Sequence, residues 1–372
     1  MGKYIVVGAG ILGASTAYHL AKEGADVTIV DRKDIGQATE AAAGIVCPWL
    51  AQRRNKKWYR LVKGGAKFYP ELIVELEEAG EADTGYKRVG AISIQRDEAK
   101  LEKAIERVTK RKEDGAPEIG EITRLSAEET KKRFPAVAEG YESIHVSGAA
   151  RVNGRKLRDA LLRTAKKNGA DFVEGNAELT YENQTVTGVK VGGETFEGEV
   201  LVTGGAWSKE LFTPLGVEFL VSPQKAQIVH LEMPNEQTAD WPVVMPPNNQ
   251  YLLAFEGGRV VIGATHEREA GFDNRPTAGG LHYILDKALE IFPGLSDSTF
   301  VETRVGFRPF TPGSLPIFGA MPGLEGVYVA NGLGASGLTS GPYLGAELAR
   351  LVLGKETELD PAEFDVNEAI GE

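Results

Sequence analysis

One cysteine, Cys47, and five histidines, at positions 19, 145, 230, 266 and 282, are all that the 372-residue chain offers of the softer metal ligands. A single thiol excludes an intramolecular disulfide and permits a reducing compartment. With neither a Cys-x-x-Cys nor a His-x-x-x-His pair, the sequence presents no metal site. Positive charge is also short. Forty-two Lys and Arg against 53 Asp and Glu leave a formal charge of −11, without the basic face that nucleic-acid phosphates require. Internal repeats, low-complexity linkers and long blocks of like charge are missing as well. The apolar stretch from Tyr4 to Ala17 superficially resembles the core of a signal peptide. Its three glycines and the acid-ended strand behind it suit a nucleotide-binding loop better. Nothing else approaches the roughly 18 continuous apolar residues of a spanning helix. The expectation is a cytoplasmic protein with no integral membrane segment, and a homo-oligomer remains open.

What is present is a chain of ordinary globular composition, 42% hydrophobic, long enough for two compact units. Its clearest segment is the first. Lys3 to Gly8 is a continuous β-branched run that suits a strand buried on both faces. Ile11 to Glu23 has helical spacing with Gly24 as a stop, and Val27 to Asp31 is a second buried strand. Thr39 to Leu50 is rich in Ala and Gly and reads as a helix start packed closely on something. Helices are expected over Asn55–Glu78, Glu98–Glu113, Arg155–Asn168 and about Leu338–Val352. Another opens at the capping box Ser126-Ala-Glu-Glu129 and ends before Pro135. Strands are expected at Val89–Ile94, Ser143–Val146, Glu199–Thr203, Gln227–Leu231, Tyr251–Phe255, Arg259–Ile262 and Gly326–Ala330. The segments Ala170–Val173 and Thr185–Val191 are read as strands flanking a turn at Glu182-Asn183.

Gly8-Ala9-Gly10-Ile11-Leu12-Gly13 fits G-x-G-x-x-G between a strand and a helix. Gly8 permits the tight turn, Gly10 lets the backbone approach a pyrophosphate, and Gly13 allows close helix–strand packing. The helix N-terminus offers unpaired N–H groups to the phosphates. Asp31, 23 positions after Gly8, stands where a carboxylate binds ribose hydroxyls. Arg32 beside it either meets a 2′-phosphate, lies over adenine or is solvated. The acid suits FAD and NAD alike, so the front of the chain does not choose between them.

The choice comes from farther along. Gly8–Gly13 with Asp31, Ala41-Ala-Ala-Gly-Ile-Val46, Val202-Thr-Gly-Gly-Ala-Trp-Ser208, Val305-Gly-Phe-Arg-Pro309 and Asn331-Gly-Leu-Gly-Ala-Ser-Gly-Leu338 follow one another over nearly the whole chain. In this the sequence resembles the D-amino acid oxidase superfamily, on the branch of glycine oxidase, sarcosine oxidase and the D-amino acid dehydrogenases, and within it a bacillar oxidoreductase subgroup. The resemblance implies an α/β fold: a Rossmann-like FAD-binding domain of the glutathione reductase type, with a second α+β substrate domain on a mixed, largely antiparallel sheet. The FAD-binding domain would comprise residues 1–85, 148–220 and 307–372, and the substrate domain 86–147 and 221–306.

It also implies roles. Ala42, Ala43, Gly44 and Ile45 would lie against the flavin ring. Ala177 would meet adenine by its backbone, and Gly204, Gly205 and Trp207 would lie near the adenosine and pyrophosphate. Gly334, Ala335, Ser336, Gly337, Leu338 and Thr339 would aim amides and a helix N-terminus at the flavin N1–C2=O edge, where negative charge gathers on reduction. Arg308 would clamp an amino-acid carboxylate through paired hydrogen bonds, beside the flavin, with Tyr251 and His266 as further substrate-side groups. Arg304 could share the strand face of Arg308. Arg53 and Arg54 read as solvated, though near enough to reach the pocket. No cysteine lies in the C-terminal half, where sarcosine oxidases attach flavin, so the FAD would be noncovalent and Cys47 a small buried side chain. Where glycine oxidases carry a bulky His-Phe-Arg-Asn run, this chain has Leu333-Gly-Ala-Ser336, which widens the site or alters the acceptor.

The implied reaction is oxidation of the C–N bond of a small amino acid: glycine, sarcosine, a D-amino acid or a cyclic imino acid. Hydride would pass to flavin N5 and the imine would hydrolyse to an oxo acid, with oxygen or another acceptor reoxidising the flavin. Positioning carries such a step without an acid–base pair. The alternatives are a dehydrogenase of the same family that uses a quinone or partner acceptor, an NAD-dependent dehydrogenase, and a noncatalytic FAD-binding subunit.

Overall fold

The computed structural model describes residues 2–234 and 237–371. Two sheets organise it. The first has six strands in the order Ile317–Ala320, Val327–Asn331, Glu199–Val202, Lys3–Val7, Asp26–Asp31 and Asp171–Glu174. Its inner pairs are parallel, with Val6 opposite both Leu201 and Ile29, and Ile317–Ala320 closes one edge antiparallel. Side chains of its four inner strands are largely buried on both faces, which is why those strands read as apolar runs, whereas the edge strand Asp171–Glu174 is mostly exposed.

The helix Ile11–Lys22 covers one face, between Gly154–Lys167 and Gly337–Val352. Small residues set the spacing. A Cβ on Gly345 would stand 2.7 Å from the Leu12 carbonyl oxygen, and one on Gly65 2.1 Å from that of Thr339, so these backbones approach as larger residues would forbid.

The second sheet has eight strands in the order Thr299–Phe310, Ser222–Glu232, Arg259–Gly263, Tyr251–Ala254, Val243–Met245, Ala91–Gln95, Glu142–Val146 and Ile122–Leu125. Its pairs are antiparallel except that Val243–Met245 runs parallel to Ala91–Gln95. The helices Glu98–Glu113, Ala127–Arg133 and Ala278–Ile291 pack on it, and the capping box at Ser126 and Glu129 forms as its spacing predicts.

Several expectations change. Thr39 to Leu50 starts no helix: it is a run of turns holding a two-residue strand, Ile45–Val46, paired with Ala150–Arg151. Gly44, at φ +107°, breaks helical geometry there. The hairpin partner of Thr185–Val191 is Ala177–Glu182, whereas Asp171–Glu174 joins the parallel sheet beside Asp26–Asp31. The expected domain boundary between residues 306 and 307 falls inside the continuous strand Thr299–Phe310.

Candidate active site

The two sheets enclose a cavity of about 790 Å³ between them. At one end the chain turns at Gly8 (φ +104°), where a Cβ would lie 2.7 Å from the Thr203 carbonyl oxygen. A Cβ on Gly13 would lie 1.8 Å from the Gly8 carbonyl oxygen, so both positions are closed to any other residue. Gly8, Gly10, Ile11 and Leu12 line the cavity, while Gly13 serves the helix packing beneath it. No side chain caps the helix at Gly10. The Ile11 amide instead donates to Thr39 Oγ1 (2.9 Å).

Asp31 is buried and lines the same end. Its carboxylate accepts from the Ala9 amide (2.6 Å), the Lys33 amide (2.6 Å) and the Gln37 side chain (3.0 Å). One acid thus ties the glycine loop to the turn after the second strand. Arg32 also lines the cavity, but its guanidinium is held by Asp34 (2.5 Å), Glu210 (2.7 Å) and Asn176 (3.0 Å). Two carboxylates already offset the charge of that cation, which disfavours a 2′-phosphate beside it. Ala177, Gly204, Gly205 and Trp207 complete this end. Asn331 fixes it from behind by donating to the Gly205 carbonyl (2.9 Å) and Ser208 Oγ (2.8 Å).

The opposite wall is made of small residues. Ala42, Ala43, Gly44 and Ile45 line it together with Gly334, Ala335, Ser336, Gly337, Leu338 and Thr339. A Cβ on Gly44 would fall 1.9 Å from the Val152 carbonyl oxygen, and Thr339 Oγ1 donates to the Ile45 carbonyl (2.9 Å). The helix Gly337–Val352 begins here, also with no side-chain cap. Two helix N-termini without a capping side chain on the N-cap residue therefore open on one cavity, and the partial positive charge at both suits a ligand with anionic groups along its length. Backbone cradles that a Cβ would fill, an acid at the ribose end and a wall of mostly small residues fit FAD.

Arg308, Tyr251 and His266 come together in this cavity from three strands or strand ends. Arg308 Nη1 lies 3.1 Å from His266 Nδ1 and 3.4 Å from Gln224 Oε1. Among the described residues no carboxylate pairs with Arg308, so its charge faces the cavity with neutral partners only. Burial, then the nearby Arg308 and Arg268 cations, push the His266 imidazole below its ordinary pKa, which leaves Nδ1 able to accept from the guanidinium. Burial raises the Tyr251 hydroxyl, against the opposing pull of Arg308 beside it. Tyr251 is therefore a neutral donor.

Two residues depart from expectation, and two keep to it. Arg304 lies in a neighbouring cavity of about 670 Å³ and pairs with Glu302 (2.6 Å), away from Arg308 despite the shared strand. Arg53 is half-buried rather than solvated: its Cζ sits 5.0 Å from the Trp58 ring centroid, and Nη2 donates to the Ser314 carbonyl (2.7 Å). Arg54 is exposed. Cys47 lines the cavity with its thiol pushed up to about 12 by burial, so it is no nucleophile. Thr39, Gln224, Asn249 and Trp58 also contribute without standing out in the sequence. Gln224 reaches the site only because strand pairing sets it opposite Arg308. No cluster that could hold a metal ion occurs among the described residues, and none of their helices is long and apolar enough to cross a membrane.

The pattern of the DAO family, described as FAD dependent oxidoreductase, matches residues 3–351. The chain is 65% identical to the uncharacterized oxidoreductase YurR of Bacillus subtilis over 98% of both proteins. It is 30% identical to a glycine oxidase of Pseudomonas aeruginosa over 97% of this chain and 98% of that one. Among solved structures, iminodiacetate oxidase (IdaA) from Chelativorans sp. BNC1 superposes with a TM-score of 0.94 at 43% identity, covering 97% of this chain and 98% of the other.

Proposed function

Because the chain belongs to the DAO family of FAD-dependent oxidoreductases, we propose that it oxidises the C–N bond of a small amino acid whose carboxylate is held by Arg308. The observation that carries this reading is the Arg308 guanidinium, set in the cavity wall with His266, Gln224 and Tyr251 as neutral neighbours. A cation left without a protein carboxylate in an acidic chain is a receptor for one from outside. The substrate class includes glycine, sarcosine, D-amino acids, cyclic imino acids and N-carboxymethyl amino acids such as iminodiacetate.

In this reading Arg308 donates two parallel hydrogen bonds to the substrate carboxylate, and the Tyr251 hydroxyl adds a third. His266 accepts from Nη1 and holds the fork in one orientation. The carboxylate is thereby fixed, and the adjacent α-carbon is presented to the small-residue wall where Ala42–Ile45 and Gly334–Thr339 would hold a noncovalent FAD. Bound FAD supplies the two-electron acceptor for cleavage of the α C–H bond. The protein's share is orientation and exclusion of water, since no acid–base pair stands beside Arg308 among the described residues that line the cavity. The FAD-binding unit of this proposal spans residues 1–85 and 148–220 and resumes after Phe310. The remainder, including all of Thr299–Phe310, forms the substrate unit.

The test is an anaerobic titration of the yellow protein with glycine, sarcosine, iminodiacetate, proline and common D- and L-amino acids, read as flavin absorbance near about 450 nm. Bleaching by a member of this panel is expected, and admission of air then separates an oxidase from a dehydrogenase that needs another acceptor. A flavin that stays oxidised across the whole panel refutes the amine reading.

A further inference from the structure

Ser336 ends the turn Gly334–Ser336 and is the N-cap residue of the helix Gly337–Val352. A serine at that place ordinarily accepts from an amide of the first helical turn. This one does not. Its Oγ accepts instead from Trp58 Nε1 at 2.8 Å, and both side chains line the cavity. An indole N–H can only donate, and a hydroxyl has one proton to give. Trp58 therefore occupies an acceptor position of Ser336, and the hydroxyl proton is turned away from it. Among the described residues that proton has no acceptor.

Both partners are held in place. Trp58 is buried in the first turn of the helix Lys56–Glu78, where Asn55 Oδ1 accepts from its amide (2.9 Å) and the Arg53 guanidinium lies over its ring. The Ser336 amide donates to the Leu333 carbonyl (2.9 Å), and the Ser336 carbonyl accepts from Ser340 Oγ (2.9 Å). A Cβ on Gly334 would stand 2.8 Å from the Phe310 ring. Phe310 shares one face of its strand with Arg308, two residues before it. The turn that carries Ser336 thus packs beside the strand end that presents Arg308.

We propose that Trp58 is a positioning residue for electron uptake: it turns the Ser336 hydroxyl proton into the cavity, where that proton joins the helix N-terminus in holding the negative charge that bound FAD gains on reduction. This rests on the reading of Gly334–Thr339 as a wall of the flavin site and of Arg308 as the carboxylate receptor. The ring that takes the hydride must reach a substrate on Arg308, which brings it to this turn. Hydride, one proton with two electrons, leaves the α-carbon of a neutral amine, and the nitrogen lone pair closes the C=N bond. The substrate is left with one positive charge and FAD with one negative charge, spread toward its N1–C2=O edge. The oxidised ring carries no such charge, so a donor fixed there favours the reduced form and needs no reorganisation as the charge develops.

The experiment compares the holoenzyme with Trp58→Phe, Ser336→Ala, the double variant and Ser336→Thr. Trp58→Phe keeps an aromatic ring under Arg53 and removes the donor. The midpoint potential of bound FAD is read anaerobically against redox dyes. Sulfite, which adds to flavin N5 and leaves the same negative charge, is titrated by loss of flavin absorbance. Neither reading needs an amine. Trp58→Phe and Ser336→Ala are each expected to lower the preference for reduced FAD about tenfold, the scale of one hydrogen bond to a charged group, or about 30 mV for a two-electron couple. Sulfite should weaken by a similar factor. The double variant is expected to match the single ones, because both act through one bond, and Ser336→Thr to keep the wild-type values. Unchanged potentials and sulfite affinities in every variant, or single effects that add in the double, overturn the proposal and leave bleaching by an amine untouched. A Trp58→Phe protein without FAD moves the decision to Ser336→Ala, whose unchanged potential overturns the proposal as well. The expected shifts with no bleaching by any amine do the reverse: the role of Trp58 stands and the amine reading falls.

Discussion

At the scale of single residues, the proposed chemistry of the cavity turns on one cation that no carboxylate among the described residues pairs with. His266 and Tyr251 can sit beside Arg308 only as neutral groups, and both are displaced in pKa toward neutrality, chiefly by burial. The sign follows. His266 binds its proton less readily than an ordinary imidazole, so it is neutral above about pH 6.5, and protonation at lower pH would set imidazolium against guanidinium at 3.1 Å. Acetate affinity, read from the flavin spectrum, should therefore be flat from about pH 8 to 6.5 and change only below. A transition centred within that range would contradict the assignment. Arg308→Met should weaken acetate by about 2 kcal/mol, the worth of a charged hydrogen bond, with the protein still yellow. Arg308 itself was legible from its apolar Val-Gly-Phe-Arg-Pro setting. Gln224 and Asn249 were not, because nothing in their neighbours marks them. They gain a role only when strand register brings positions 84 residues apart, such as Gln224 and Arg308, to one place.

Among the elements, the segment Ala41–Val46 shows how composition can be read correctly and shape wrongly. Its small residues do line the cavity wall, yet their high helix propensity is overridden by pairing with Ala150–Arg151 and by Gly44. Gly44→Ala would put a methyl group 1.9 Å from the Val152 carbonyl oxygen at a φ of +107°. The expected result is a colourless or weakly yellow protein destabilised by about 2 kcal/mol or more. Gly115→Ala is the control: its φ is +91° but nothing lies within 4 Å, so it should cost about 1 kcal/mol and keep its colour. Melting temperature and the ratio of flavin to protein absorbance decide both. The front strand–helix–strand unit was legible because local pattern and tertiary fate agree there. The helix Ala278–Ile291 was not, since Gly279-Gly280 weaken its start and it exposes Tyr283 and Leu289. Thr299–Phe310 escaped for a different reason. It is an edge strand whose outer half exposes Phe300 and Val301, so no clean inward and outward alternation announces it.

Across the whole molecule, three histidines outside the cavity are held with pKa values depressed to about 4, chiefly by burial: His19, His145 and His230. In the unfolded chain each would titrate near 6.5. Between these values the unfolded state binds more protons, so folding stability falls as pH drops from about 6.5 toward 4, by about 1 kcal/mol per histidine at pH 5.5. A melting temperature that is level at pH 7 to 8 and declines below 6.5 is expected, with a shallower decline in His19→Gln. An unchanged midpoint down to pH 5 would show that these imidazoles are not held neutral. The topology has a separate consequence for biosynthesis. Lys3–Val7 pairs on one side with Glu199–Val202, made much later, which in turn pairs with Val327–Asn331. The Gly334–Thr339 wall follows later still. At about 5–20 residues per second, the nascent chain spends on the order of 15–65 s with an incomplete parallel sheet and only part of the cofactor cradle. The cavity lining is thus complete only once residues as late as Thr339 have been made.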